Sequence, residues 1–147
     1  MHAPNAYDMI RWMHFLCAAL AGGGMVMCLL VSGFEDTRED LRGFAAVLWA
    51  RVVSWGLRLA LLLGLGMVGW MHKLGGNPFN DHWLWVKLAL VLVLVGVSET
   101  TPKALAAGKR GGALLAMLLF LLSTFTAYNR SVFGSRPAAP AAMSTAK

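Results

Sequence analysis

Four side chains stand out for chemistry in a chain that is 58% hydrophobic and only 14% charged: His14, Arg58, Lys87 and Tyr128. His14 precedes FLCAALAGGGM, where Ala18 and Gly22, and Ala19 and Gly23, are small residues four apart. On a helix each pair shares a face and leaves room for a close neighbour or a flat ligand. An imidazole facing that groove is the kind of group that ligates haem iron. The same ring equally suits a hydrogen bond inside a helical bundle, to Tyr128 or to a backbone carbonyl. One histidine without a spaced partner does not by itself define a metal site.

Lys87 lies in WLWVKLALVLVLVGVSET, residues 83–100, just after two tryptophans. Its four-carbon stem allows the ammonium to snorkel towards an interface, which is the plainer reading beside any contact with an anion. Arg51 and Arg58 are seven residues apart and so share a helix face. Arg51 is expected to pair with Glu99. Arg58 lies about 10 Å further along the axis, is harder to explain by snorkelling, and needs another partner.

Other site chemistries are weaker. Cys17 and Cys28 lie about 16 Å apart along one helix, too far for a disulfide within it, and read as small apolar residues. With Met25, Met27 and His14 they include the soft ligands that suit Cu(I), although they scatter over more than one helix face. His72, Asp81 and His82 border a loop and read as solvated. The glycines of GLGMVG, residues 64–69, lack the strand that a nucleotide-binding turn needs and read as packing positions.

These residues must be positioned by long apolar helices. Soluble domains carry about 25% charged residues, well above this chain. Its mean hydropathy is +0.61, and the hydrophobic residues fall in blocks long enough to cross a hydrocarbon layer of about 30 Å. Four helices are expected, near 7–33, 44–71, 83–101 and 112–129. The acidic and basic connector FEDTREDLRG, the breaker run GGNP and the turn AAGKRGG separate them. Thr37 and Asp40 are expected to cap the second helix. The first block is too long for the apolar core of a signal peptide, and little positive charge precedes it. Residues 131–147, rich in Pro and Ala, are expected to be disordered.

The expected architecture is all-α: an integral membrane, up-down-up-down four-helix bundle with both termini on one side. A net charge of +6 without a basic-aromatic patch points to membrane topology and anionic lipid rather than nucleic acid. Five basic residues flank the membrane on each side, so the positive-inside rule ties. The Lys109-Arg110 turn tips the expectation towards termini outside the cytoplasm. In this arrangement His14, Lys87 and Tyr128 lie at similar depth, and Arg51, Arg58 and Glu99 lie towards the other side.

Several of these features resemble a known group. A histidine in the first helix, arginines in the second, Trp83-x-x-x-Lys87-Leu88-Ala89-Leu90 opening the third and TAYNR closing the fourth are similar to the HemJ-type membrane proteins. Those are bacterial haem-associated protoporphyrinogen oxidases; copper-resistance D and SirB-type proteins share the plan. The resemblance spans about residues 7–130. It implies a bacterial inner-membrane bundle that binds haem b through His14, with Lys87 and Arg58 as cations for tetrapyrrole carboxylates. Met25–Val31 and Val97-Ser98-Glu99 stand where the oxidases carry an arginine and Tyr-His pairs, so the likeness bears on fold more than on reaction.

The sequence therefore leaves three functions open. One is a haem-b protein with a redox or tetrapyrrole role. Another is a non-catalytic membrane subunit, in a homo-oligomer or a larger complex. The third is copper-related transport.

Overall fold

The computed structural model describes residues 6–35, 37–80 and 82–129, and these are helical with no strand among them. Helix α1 spans Ala6–Phe34. Helix α2 covers residues 44–73 in three continuous parts: Phe44–Leu48, a π turn at Trp49–Val53, and Ser54–Lys73. Helix α3 spans His82–Ala106 and α4 spans Gly111–Tyr128. All four are long and apolar enough to cross a membrane. The residues 131–147 lie outside the described part of the chain.

Helix α1 packs along α2, and α3 along α4, with further contacts from α1 to α4 and from α2 to α3. Small residues let these backbones approach. A Cβ on Gly56 of α2 would stand 3.1 Å from the Cβ of Ala21 in α1, and one on Gly22 would stand 2.8 Å from the Phe120 ring of α4. The core is correspondingly small-grained, with Ala21, Met25, Cys28, Trp49, Val53, Leu94, Ala113 and Ala116 almost fully buried. Large apolar residues instead cover the exterior: Leu62 and Leu118 are about two-thirds exposed. A surface of that kind belongs against hydrocarbon or another protein, not water.

The turns follow from glycine. Gly75 and Gly108 take φ of +83° and +72°, and each closes its helix with two reverse bonds. After α3, the Gly108 N–H donates to Leu105 O at 2.9 Å and the Lys109 N–H to Ala104 O at 2.8 Å. That is a Schellman ending, which a residue with a Cβ enters only at a cost.

The start of α2 departs from expectation. Thr37 and Asp40 do not cap it. The Thr37 hydroxyl turns back to donate to Phe34 O at 2.9 Å, at the end of α1. Asp40 falls in a short 3₁₀ turn, Glu39–Leu41. Glu35 provides the cap instead, its Oε1 accepting from the Ala45 N–H at 2.8 Å. A carboxylate carried by the end of α1 therefore satisfies one of the free N–H groups at the start of α2.

Helix α3 also runs past its expected end near Thr101, continuing through Pro102 to Ala106. A proline at that position has no N–H for the carbonyl of Ser98, four residues back. The indole N–H of Trp49 fills the gap, reaching the Ser98 carbonyl oxygen at 3.2 Å. The helix survives its proline because a neighbouring helix supplies the missing donor.

Candidate functional site

Two polar layers hold the helices together. The first centres on His14, half-buried on α1. A carbonyl only accepts, so the imidazole Nδ1–H donates to Ala60 O of α2 at 2.7 Å. Gly64 makes room for the ring: a Cβ there would lie 3.2 Å from His14 Cε1. Gly64 therefore serves packing as the sequence implied, whereas Gly66 and Gly69 face open space. Lys87 of α3 is half-buried. Its Nζ lies 6.0 Å from the centre of the Trp83 ring.

Tyr128 does not join this layer. It is 89% exposed at the last position of α4, and the partner of His14 is a backbone carbonyl. Similar depth along the bundle leaves direction around the helix axis free, and for Tyr128 that direction is outward.

The second layer lies between α2 and α3. The Trp49 indole N–H reaches both the carbonyl and, at 3.1 Å, the hydroxyl of Ser98. Ser54 Oγ lies 3.3 Å from the same hydroxyl. All three residues are buried, and the π turn sits at their level, with the Ser54 N–H bonded five residues back to Trp49 O. On the outside of this layer Arg58 grips Glu99 with two bonds, Nε to Oε1 at 3.0 Å and Nη2 to Oε2 at 2.5 Å. The guanidinium carbon also lies 5.4 Å from the centre of the Trp55 ring.

Glu99 thus pairs with Arg58 and not with Arg51. Side chains lean towards the N-terminus of their helix, so Arg58 reaches back to the level of Ser54 and Ser98. Arg51 already lies on the N-terminal side of that level, and its stem leads further away. It is exposed.

The remaining candidates disperse. Met25 and Cys28 are buried in the core. Met27 instead lines an open apolar groove of about 370 Å³ with Ala19, Gly23, Gly24, Leu48 and Val52. Ala19 and Gly23 thus border a surface groove, while Gly22 is filled by Phe120. Of the soft ligands weighed for copper, Met25 and Cys28 share the core and Met27 lies outside it. No group of three or more His, Cys, Asp or Glu among the described residues is placed to hold a metal. His72, in the last turn of α2, and His82, which opens α3, are exposed; Asp81 lies outside the described residues.

Sequence reasoning missed Trp49, Ser54 and Ser98, although Pro102 pointed to them. A proline inside an apolar helix leaves the carbonyl four residues earlier in need of a donor. It also missed Arg110, whose Nη2 donates to Ser32 O and ties the start of α4 to the end of α1. Comparison with protein families, curated proteins and solved structures returned no match.

Proposed function

We propose that this chain is an integral membrane protein, an up-down-up-down four-helix bundle, that acts as a non-catalytic membrane subunit. One observation carries the reading: the polar groups between its helices are engaged in holding helices to one another. His14 ties α1 to α2, Trp49 and Ser54 tie α2 to α3, Arg58 ties α2 to α3 again, and Arg110 ties α4 to α1. Polar side chains used this way are interhelical fasteners. The Lys109-Arg110 turn favours a cytoplasmic third loop and periplasmic termini in a bacterial inner membrane.

Two measurements test this. Alkaline carbonate washing should leave the chain in the membrane pellet; recovery in the supernatant defeats the membrane reading. Affinity purification in mild detergent should then give a colourless protein, alone or with stoichiometric membrane partners.

A second reading has a specific observation behind it. With Nδ1–H fixed on Ala60 O, the nitrogen left for a metal is Nε2, and metal-bound histidines characteristically donate their other N–H in this way. The HemJ-type resemblance points to haem b at the same residue. There His14 would provide an axial nitrogen and Lys87 a cation for a propionate, the haem itself supplying one-electron chemistry. A Soret band that disappears in His14→Ala while the protein still folds would establish this reading in place of the first.

A further inference from the structure

The Arg58–Glu99 pair faces outward. The two side chains are 43% and 42% exposed although they are bonded to each other. Such exposure is unusual only in a chain that spans a membrane, so the interface inferred from it rests on that part of the proposed function. Glu99 is seven residues from the end of α3 at Ala106, about 10 Å along the axis. Centred in a hydrocarbon layer of about 30 Å, the 25-residue α3 overhangs by only about 4 Å at each end. With α3 so centred, the pair falls inside the apolar layer, on the outside of the bundle. Ionisable groups at such depth normally face protein or water.

The neighbouring surface is also unlike a lipid-facing one. On α3, Ala89, Leu92, Gly96 and Glu99 follow one another at helical spacing, and all four are exposed. A Cβ on Gly96 would meet nothing within 4 Å. Leucines alone would suit lipid, but a glycine one turn from an ion pair opens a path for a partner backbone. Hydrogen-bonding capacity is left over as well. Arg58 uses two of its five N–H donors on Glu99, and each carboxylate oxygen, having accepted once, can accept again.

We infer that this α2/α3 face is the interface with a second copy of the same chain. The face is complementary in charge to itself. A positive and a negative group lie side by side on adjacent helices, so a partner must present the two signs in the opposite order. The same pair does so when rotated about a two-fold axis along the bilayer normal. Such a rotation sets Arg58 of one copy against Glu99 of the other and keeps both copies in the same membrane orientation. A partner helix bearing a single charge, or lipid alone, leaves part of the pair's spare donors and acceptors unmet.

The test uses the full chain, with two different tags, in lipid nanodiscs or mild detergent. Arg58→Glu gives a face with two acids, and Glu99→Arg gives one with two bases. Each alone should fall to monomer by light scattering. Co-expressed, they should form mixed dimers enriched about tenfold over a random mixture, equivalent to about 1.4 kcal/mol. A random mixture would show that the pair acts only within one chain and would overturn the inference.

Gly96→Cys in a Cys17→Ser/Cys28→Ser background decides the matter even if the charge variants do not accumulate. It should cross-link to a disulfide dimer in membranes, while Leu121→Cys on exposed α4 should not. Equal or absent cross-linking at both positions overturns the interface. A carbonate-resistant but monomeric protein overturns the interface alone; a carbonate-extractable one overturns the membrane reading with it.

Discussion

The indole nitrogen of Trp49 lies 3.2 Å from the one carbonyl of α3, that of Ser98, which Pro102 leaves without its helical donor. Two features that each look like defects, a π turn in α2 and a proline in α3, meet at one buried hydrogen bond. Trp49→Phe keeps most of the packing and removes only the N–H. An unsatisfied buried carbonyl costs about 1–3 kcal/mol, so the melting temperature in detergent should fall. In a Pro102→Ala background residue 102 regains an N–H for Ser98, and Trp49→Phe should then cost less. A double-mutant cycle should show coupling of about 1 kcal/mol; additive effects would mean that the indole does not serve the proline gap.

A companion cycle applies to the first layer. Gly64→Ala places a methyl 3.2 Å from His14 Cε1, so the imidazole must give by a few tenths of an ångström, which strains its 2.7 Å bond to Ala60 O. Buried hydrogen bonds between membrane helices average about 0.6 kcal/mol, so the expected loss is modest. It should largely disappear when His14→Ala is also present. Thermal unfolding of the four variants measures this, and an undiminished loss in the double variant would locate the clash elsewhere.

The fold is legible in the sequence where it depends on bulk composition and punctuation. Four apolar blocks need only length to be recognised, and the glycines at 75 and 108 mark helix ends that the structure closes with reverse turns. Depth is legible only to within a turn or two, because residue number along a helix converts to backbone distance while long side chains lean along the axis. Direction around the helix axis is not. Counting residues puts Tyr128 near the level of His14, yet its side chain faces outward. Counting also makes Arg51 a neighbour of Glu99, although Arg58 is the one that leans to it. The π turn gives no local signal, since WARVV holds neither proline nor glycine. It is set by the tertiary contact of Trp49 with a helix that is distant in sequence.

Gly108 provides a local check on the turn chemistry. Its φ of +72° is left-handed, which costs an L-residue about 1–2 kcal/mol. Gly108→Ala should lower the melting temperature accordingly. Gly111 opens α4, and a Cβ there would meet nothing within 4 Å, so Gly111→Ala should be neutral or slightly stabilising. Equal effects at the two sites would argue against the Schellman ending.

The Arg58–Glu99 pair predicts a particular ordering of variants. Its two bonds hold a charge of each sign on the outer face of α2 and α3, which the proposed membrane placement would desolvate. Arg58→Met strands the carboxylate, and Glu99→Met strands the guanidinium. Removing one member of a desolvated pair costs more than removing both, because the remaining charge has lost its partner. The double variant Arg58→Met/Glu99→Met should therefore unfold at a higher temperature than either single variant, close to the native chain. Trp55, stacked on the guanidinium, sharpens the test: Trp55→Ala should weaken the native protein but have little effect once Arg58 is methionine. Single variants as stable as the double would mean that water or lipid headgroups reach the pair, and that the layer lies nearer the membrane surface than its position along α3 implies.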